Sequence, residues 1–423
     1  MSATTKTPRH QDEKRKLPAG WRWDKLKETG VFEAGGTPAK ERTDYWNGEI
    51  PFVTGADITE LCIAKANARA FLTRDGLYSG KTAVCETGTV LIVTRTRVGR
   101  AGITQETMGA SQDITAFKCG PEIHQEFLCR YLHNISEHLI DNCRGATVQG
   151  LTREFVDNLE IPLPPLAEQR RITGVLREQM AAVDKARAAA QIRHESIKCL
   201  HDAYIRQVFD SDTAKNWPHI PIYKLIESGA LLEHQDGNHG ELHPRSYDFK
   251  SDGIKFLTAK HIKENGDLSF DSAPCISIEQ AEGLRIGHAK GGDVLLAHNA
   301  TVGPVGMAAI EQKSFIIGTS LTIYRSDEKY LLPRYLFWSL RSRSFQDQLR
   351  EAKEQTTRNQ VPITKQRTMF IKCPSIDSQH KIVDFLNKQM NTVDNARKSD
   401  ETELQTINAL PAALLRRAFS GEI

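Results

Sequence analysis

The sequence predicts a mixed α/β protein in which two similar domains are joined by two long antiparallel helices that form a coiled coil. The main observation is an internal repeat with pseudo-two-fold character. REQMAAVDKAR at 177–187 is matched by NKQMNTVDNAR at 387–397, and GTVLIVTRTRVGRAGI at 88–103 is matched by GDVLLAHNATVGPVGM at 292–307. These matches keep their order along the chain, so we infer a tandem duplication of about 200 residues.

Each repeat begins with the pattern of a compact α/β domain. Short β-branched runs, such as GTVLIVT and SFIIGTSLTIYR, alternate with glycines and with helix-like stretches. This mixture is typical of a mixed sheet with helices packed on it. We predict target domains at 17–163 and 211–373, a disordered polar tail at 1–16, and long helices at 164–210 and 374–423, the last including the carboxy-terminal tail.

The long helical segments carry apolar residues at close to heptad spacing. Pro164 and Pro165 keep the chain extended before the first helix begins. In the second copy Asp400 interrupts the apolar stripe, and we expect Pro411 to kink the helix. The positions predicted to pair the two helices are Leu176, Val183, Ile197, Tyr204, Leu386, Val393, Ile407 and Leu414.

A long helix with one narrow apolar stripe is not stable alone in water. A helix of roughly 40 residues is about 60 Å long. Two copies with matching stripes therefore favour antiparallel pairing, which would form a rod between the two domains. The alternative is that each helix packs only on its own domain.

Composition and charge exclude several classes of protein. The net charge is +3, and no run of about 18 uncharged apolar residues predicts a membrane-spanning helix. The amino-terminal segment lacks the apolar core of a secretory signal. None of the eight cysteines forms a CxxC pair, so we expect reduced thiols in a cytoplasmic protein without a zinc site.

Neither predicted domain is basic. Residues 20–160 carry 16 basic and 19 acidic side chains, and residues 216–370 carry 19 and 18. Any DNA-binding face must therefore be a local patch, or DNA binding must be shared with a partner.

Catalytic signatures are missing from the sequence. GLYSGKT at 76–82 resembles a phosphate-binding loop but is one residue short, and Asp75 stands where the first glycine is needed, so a hairpin turn is the preferred interpretation. No nucleophile elbow, HExxH motif or dinucleotide-binding glycine motif occurs. We therefore predict neither catalytic residues nor metal ligands.

Polar side chains suited to DNA recognition follow the predicted strands. Arginine can bind guanine through two hydrogen bonds, asparagine can bind adenine, and threonine can bind phosphate or contact a thymine methyl group. Equivalent loops in the two copies carry different polar residues, which favours one scaffold that reads two sequences; a solvated turn is the alternative for each residue. The predicted DNA-binding residues are Thr54, Asp57, Arg95, Thr96, Arg97, Arg100 and Gln149 in the first copy, and Lys260, His261, His298, Asn299, Thr301, Arg358, Asn359 and Gln360 in the second.

Several of these segments resemble the specificity subunit of type I restriction-modification enzymes. The resemblance rests on LPAGWRWDKL, GGTPAKERTDYWNGEIPFVTGADI, GTVLIVTRTRVGRAGI, IPLPPLAEQRRI and LLRRAFSGEI, and it covers both halves from about Leu17 onward. The proline-rich stretch followed by a long helix is its most specific element. The second copy, CPSIDSQ, has one proline where the first copy, LPPLAEQ, has two, and it carries Ser378 where the first copy has Glu168.

The resemblance implies that each domain is a target recognition domain that reads one half of a bipartite, asymmetric double-stranded DNA site. It implies that the long helices set the spacing and dock two modification subunits, which carry S-adenosylmethionine and methylate adenine at N6. Two restriction subunits, each a motor and nuclease, would complete the complex. The chain itself would bind no cofactor and catalyse no reaction. Two alternatives stay open: a DNA-modifying enzyme that acts alone, and a duplicated protein-binding adaptor.

Overall fold

A computed structural model describes residues 17–79, 82–145, 150–355 and 359–423. The predicted tail at 1–16 lies outside the described residues. The chain divides into two compact units: one comprises the chain up to Gln191 together with Thr402–Ile423, and the other comprises Ile192–Glu401. Each unit is described by itself below.

The first unit contains eleven described strands and the first part of a long helix. The strands are β1 (Arg22–Lys25), β2 (Gly30–Ala34), β3 (Trp46–Val53), β4 (Cys62–Ile63), β5 (Ala70–Leu72), β6 (Ala83–Cys85), β7 (Val90–Val93), β8 (Ala101–Thr104), β9 (Met108–Ala110), β10 (Ile114–Cys119) and β11 (Glu160–Leu163). The helices are α1 (Arg74–Leu77), α2 (Gln125–Asn134), α3 (Ser136–Asp141), α4 (Arg153–Asp157) and the long helix α5 (Leu166–Phe209).

The second unit repeats this arrangement. Its strands are β12 (His219–Pro221), β13 (Leu231–Asp236), β14 (Ile254–Leu257), β15 (Cys275–Ile276), β16 (His288–Ala289), β17 (Val294–Asn299), β18 (Thr301–Met307), β19 (Phe315–Ile317), β20 (Leu321–Ser326) and β21 (Phe370–Lys372). Its helices are α6 (Asp212–Lys215), α7 (Ile222–Glu227), α8 (Ile278–Gly283), α9 (Pro333–Arg341), α10 (Arg343–Glu354), α11 (Ile363–Gln366) and the long helix α12 (Ile376–Phe419).

Sheet topology confirms the internal repeat. The first unit has the strand orders β2-β10-β7-β8-β4, β5-β3-β9-β6 and β1-β11, and the second has β13-β20-β17-β18, β15-β14-β19-β16 and β12-β21. In both units one pair in the second sheet is parallel, β3 with β9 and β14 with β19. The mixed α/β class predicted from the sequence is thus correct for both domains.

Strand β7 is apolar throughout because it lies between two cores. Val90 and Ile92 pack in the core that includes helix α2, whereas Leu91 and Val93 pack among strands of both sheets. Successive side chains of a strand point to opposite faces, so a strand covered on both sides shows no polar alternation. Strand β17 alternates between its two cores in the same way.

The described residues of the segment 76–82 do not show the hairpin turn expected from its sequence. Its first two residues close the short helix α1, whose amino terminus is capped by the Thr73 hydroxyl oxygen, which accepts a hydrogen bond from the Gly76 N–H at 3.2 Å. The strands on either side, β5 and β6, pair with β3 and β9 and not with each other. The threonine cap therefore favours a helical turn here, although Asp75 and Gly76 have low helix propensity.

The two long helices pair in antiparallel fashion, as predicted. In the first unit, Val183 and Ala190 of α5 cluster with Ile407 of α12, and Leu415 and Phe419 enter the core of the first domain. In the second unit, the end of α5 and the start of α12 share one core, to which they contribute Ile205, Phe209, Leu386 and Met390.

The interpretation that each long helix packs only on its own domain is therefore wrong. Of the eight predicted pairing positions, six are buried and two, Tyr204 and Leu414, are half-buried. Helix α12 continues through Pro411 to Phe419, so the proline does not end the helix.

Asp400 fills the interruption in the apolar stripe. Its buried carboxylate accepts a hydrogen bond from Arg193 Nε at 2.6 Å and lies 2.9 Å from His194 Nδ1. The hydrogen bond from Arg193 lowers the pKa of this carboxyl group. The break in the pattern is thus an ionic layer supplied by both helices.

Among the described residues, no helix is both long and apolar enough to cross a membrane.

Replacing Ile407 by alanine should lower the free energy of unfolding by about 2–5 kcal/mol, because the buried side chain would leave a cavity between the paired helices. Leu410→Ala on the same helix is the matched control, since Leu410 is 38% exposed. Urea denaturation of the full-length chain measures both. Equal losses for the two variants would contradict the pairing of α5 with α12.

Candidate nucleic-acid interface

The hairpin after the central strand has an unusual backbone in both domains. Thr96, between β7 and β8, has φ 61°, and Ala300, between β17 and β18, has φ 63°. The two residues are 204 positions apart, which is the offset of the repeat in this region. Residues with a side chain rarely adopt the left-handed region, and such strain is concentrated at functional sites. The duplicated strain marks these hairpins, which the sequence analysis selected for DNA binding.

In the first domain the hairpin is bound to the segment before helix α4. Arg95 forms a β-bridge with Gly150, and the Leu151 N–H donates to the Thr94 carbonyl at 2.8 Å. Gly150 and Leu151, which follow the predicted residue Gln149, therefore lie beside the hairpin, although some 50 residues separate them from it along the chain. Gln149 lies outside the described residues.

In the second domain the equivalent segments meet in the same way. Asn299 forms a β-bridge with Gln360, and the Ala300 N–H donates to the Asn359 carbonyl at 2.9 Å. The Val361 N–H donates to the His298 carbonyl at 2.8 Å. In each domain the hairpin thus lies against the described residues just before the next short helix, which is α4 in the first domain and α11 in the second. Arg358 lies outside the described residues.

The third predicted stretch, Thr54–Asp57, also lies at this surface. A Cβ atom on Gly55 would come within 2.8 Å of Val93 Cγ1 and 3.7 Å of the Arg95 carbonyl oxygen. The buried Asp57 carboxylate accepts hydrogen bonds from the Thr54 N–H at 2.9 Å and from its hydroxyl at 2.7 Å. Asp57 also pairs with Arg69 Nε at 3.0 Å.

The equivalent turn in the second domain uses histidine in place of aspartate. The Thr258 N–H donates to His261 Nδ1 at 2.9 Å, and the His261 side chain is buried. Burial lowers the pKa of His261, which keeps Nδ1 available as an acceptor. Asp57 and His261 therefore stabilise their turns, while Thr54 and Lys260 remain accessible at the surface. DNA contact by the two buried side chains stays a prediction that would require the turn to open.

The other predicted residues differ in exposure. Arg100 is half-buried and donates to the Ile58 carbonyl at 3.2 Å. His298 is buried and lies 3.1 Å from the Val361 carbonyl oxygen, beneath the pre-helix segment. This burial favours a supporting position for His298, and its contact with DNA is untested. The exposed members of the predicted set are Arg95, Thr96, Arg97, Lys260, Thr301 and Asn359, and the half-buried members are Thr54, Arg100, Asn299 and Gln360.

A buried polar network supports this surface in the second domain. Gln366 accepts a hydrogen bond from the Tyr324 hydroxyl at 2.7 Å and donates to Thr322 Oγ1 at 3.1 Å and to the Val361 carbonyl at 3.0 Å. His234 lies 3.4 Å from the same amide oxygen, and burial lowers its pKa to about 4. Its hydrogen bonds hold the Val361 carbonyl against the sheet and so stabilise the backbone beside the hairpin.

The structure adds a segment that the sequence analysis missed. In the first domain, the Thr94 and Arg95 N–H groups both donate to the Asp113 carbonyl, at 2.8 and 3.2 Å. In the second, the His298 N–H donates to the Ser320 carbonyl at 3.0 Å. The loops 111–113 and 318–320 therefore border the hairpins, with Gln112 exposed in the first. The two loops occupy equivalent positions in the repeat, and this equivalence is the sequence signal that could have identified them.

The two hairpins and the segments bound to them differ in charge. The first presents the exposed guanidinium groups of Arg95 and Arg97, whereas the second presents amides and hydroxyls from Asn299, Thr301 and Asn359. No group of three or more potential metal-binding side chains occurs among the described residues. These side chains can form hydrogen bonds with the edge of a base or with a phosphate, and such contacts are suited to nucleic-acid recognition.

Comparisons with known proteins agree with this description. Residues 18–186 match the family model described as "Type I restriction modification DNA specificity domain". The chain is 24% identical over 300 residues to the EcoBI specificity subunit of Escherichia coli, covering 67% of this chain and 62% of that protein. It is 27% identical over 165 residues to the MjaIX specificity subunit of Methanocaldococcus jannaschii, covering 38% of each. The matches thus span less than two thirds of either relative.

Solved structures show the same fold. A chain from a study of complex assembly and conformational transition of the type I R-M system aligns with a TM-score of 0.74 at 20% identity, covering 96% of this chain and all of that one. The HsdS subunit from Thermoanaerobacter tengcongensis aligns with a TM-score of 0.65 at 20% identity, covering 96% and 98%. The chain therefore shares the fold of these solved structures, and its residues 18–186 are similar to the type I restriction modification DNA specificity domain.

Proposed function

We propose that this chain is the DNA sequence-recognition subunit of a type I restriction-modification complex. It binds a bipartite, asymmetric double-stranded DNA site, with one half-site for each recognition domain, and it catalyses no reaction itself. The observation that carries the proposal is the pair of equivalent surfaces built on strained hairpins at Thr96 and Ala300, with different polar residues on each.

The difference in side chains would give each domain its own sequence preference. Arg95 and Arg97 are suited to guanine, whose O6 and N7 accept two hydrogen bonds from one guanidinium group. Asn299 and Asn359 are suited to adenine, whose N6 and N7 match a side-chain amide. One scaffold would thus present two different recognition surfaces, which accounts for an asymmetric site.

The long helices would fix the spacing between the half-sites. Each has 44 residues, or about 66 Å at 1.5 Å per residue. Half-sites read from one face of DNA lie about one helical turn, roughly 34–36 Å, apart or at multiples of that distance. A paired helix of this length is long enough to determine such a distance.

Catalysis would come from partner subunits. The complex in which we place the chain has two modification subunits, which carry S-adenosylmethionine and methylate adenine at N6, and two restriction subunits with motor and nuclease activity. The long helices would dock the modification subunits, in the cytoplasm where the host DNA lies. Near-neutral recognition domains fit a protein that shares its grip on the DNA phosphates with these partners.

The direct test is methylation of plasmid DNA by the purified chain with S-adenosylmethionine, with and without its modification subunits, read out by methylation-sensitive sequencing. We expect adenine methylation only with the partners, at a two-part motif with a fixed gap. Methylation by the chain alone would identify a stand-alone enzyme. Methylation by the assembled complex without sequence preference would favour a protein-binding adaptor.

Replacing both Arg95 and Arg97 by alanine should relax the preference for one half of the motif and leave the other half unchanged. Each bidentate contact with a base is worth about 1–3 kcal/mol, or roughly 5- to 150-fold in affinity. Competition binding with the assembled complex measures the change. Lys27→Ala removes one positive charge from an exposed position beside β1 and serves as the control. Equal effects on both half-sites would count against the assignment.

Deleting residues 184–190 together with 404–410 should shorten the preferred gap between half-sites by about 3 base pairs, because each helix loses about 10.5 Å. These segments belong to the paired parts of α5 and α12 in the first unit, where Arg187 Nε donates to Asn408 Oδ1 at 3.0 Å. The gap is read from the motif methylated in cells. An unchanged gap would refute the role of the helices as spacers.

A further inference from the structure

Both recognition domains are held on their long helix by the same glutamine. Gln169 near the start of α5 accepts a hydrogen bond from the His124 N–H at 2.8 Å and donates to the Glu122 carbonyl at 2.8 Å. Gln379 near the start of α12 accepts from the Leu332 N–H at 3.0 Å and donates to the Tyr330 carbonyl at 3.1 Å. Both glutamines are fully buried. This contact engages backbone groups only, so it cannot distinguish one domain from the other.

A second shared contact comes from the end of the partner helix. Phe419 of α12 lies against Phe127 of the first domain, with ring centroids 5.2 Å apart. Phe209 of α5 lies against Tyr335 of the second domain at 5.7 Å. Phe209 and Phe419 are 210 positions apart, as are the two glutamines. Either domain would find the same apolar seat on either helix pair.

One position on each domain breaks this equivalence. Glu126 lies two residues after the backbone N–H that Gln169 binds, and Arg334 lies two residues after the one that Gln379 binds. The first domain thus presents a carboxylate at the place where the second presents a guanidinium group. These two residues face the long helices.

The facing residues on the helices differ to match. Glu126 forms an ion pair with Arg177 of α5, and Arg334 Nε donates to Asn387 Oδ1 of α12 at 3.1 Å. Arg177 and Asn387 are again 210 positions apart. The domain residue and the helix residue have therefore changed together between the two halves of this chain.

In each domain, Glu126 or Arg334 is also stabilised by the side chain that follows one helical turn later. Arg130 donates to Glu126 at 2.8 and 3.0 Å in the first domain. In the second domain the equivalent of Arg130 is Trp338, whose ring lies 5.3 Å from the guanidinium carbon of Arg334. A carboxylate with an arginine and a guanidinium group over an aromatic ring are both favourable pairs. The exchange of charge is thus accommodated inside each domain and leaves the helix residue to recognise it.

The setting makes a mismatch costly. The Glu126 side chain is only 9% exposed, and although burial opposes it, hydrogen bonds from Arg177 and Arg130 keep the pKa of Glu126 below its usual value. Burial lowers the pKa of Arg334, because its guanidinium group is removed from water. A charge in such a place is not screened as a surface charge is.

We propose that these two residue pairs assign each recognition domain to its own long helix: a carboxylate on the first domain fits an arginine on α5, and an arginine on the second fits a neutral amide on α12. A second domain seated on α5 would bring the half-buried Arg334 against Arg177, a like charge whose side chain is 68% exposed. A first domain seated on α12 would lose the cation that Glu126 binds. This proposal concerns the stability of the chain; together with the proposed function, it would also fix the order in which the two half-sites are read.

The first test uses two single substitutions in the full-length chain, each with a control that changes the same charge elsewhere on the helix. Asn387→Arg is compared with Asn391→Arg, and Arg177→Asn with Lys185→Asn; both control positions are exposed. We expect Asn387→Arg and Arg177→Asn each to lower the melting temperature by about 2–4 °C more than its control. If both variants melt at the temperatures of their controls, the charge on the helix does not affect how the domain packs and the proposal is wrong.

The second test exchanges the two domains, so that 211–373 precedes α5 and 17–163 precedes α12. This chain should melt at a lower temperature than the natural one, or fail to remain soluble. Adding Arg177→Asn and Asn387→Arg should recover at least half of the loss, although the same two substitutions harm the natural order. Equal stability of the exchanged chain with and without them would overturn the proposal. If neither exchanged chain folds, the single substitutions decide.

Discussion

The apolar stripe of each long helix must be buried, and much of the architecture follows from this requirement. Each helix has 44 residues, and a helix cannot bury an apolar stripe of that length without a partner. Antiparallel pairing solves the problem for both helices at once. Its consequence is that the carboxy-terminal segment of the chain enters the core of the first domain, where Leu415, Ala418 and Phe419 pack with Phe127 and Tyr131. The first domain is therefore completed by the last residues of the second repeat.

This arrangement separates the parts of each domain that are shared from the parts that differ. The shared parts are apolar or bind backbone groups: the double-sided central strand, the buried glutamine and the aromatic seat. The differing parts lie at the hairpin and in the segments around it. Arg95 and Asn299, for example, occupy equivalent positions at the ends of the central strands. Because the backbone at Thr96 and Ala300 is strained in the same way, the scaffold has kept its geometry while the side chains changed. The proposed recognition of two different half-sites needs this division.

The sequence predicted the features that depend on periodicity and missed those that depend on side-chain direction. The repeat, the helices and their pairing positions were predictable because a stripe such as Leu176, Val183 and Ile197 repeats over many turns. The sequence predicts that Asp57, His261 and His298 contact DNA, yet the structure buries all three side chains. The reason is that a polar side chain in a loop can hydrogen-bond to nearby backbone groups as readily as to a ligand. Gln169 was overlooked since a single polar residue in a helix has no pattern, although it fixes the domain to the helix.

The polar layer at Asp400 shows that the helix interface is also no longer symmetric. The repeat places Ala190 at the position of Asp400, and Ala190 packs with Leu404 and Ile407, whereas Asp400 binds Arg193 and His194. The counterparts of Arg193 and His194 in the second copy are Glu403 and Leu404. Two copies of α12 paired with each other would set Asp400 against Glu403 and Leu404, which supply no cation for it. A buried polar group of this kind discriminates among helix partners at a cost in stability. The polar layer thus favours the pairing of α12 with α5 over the pairing of two copies of α12.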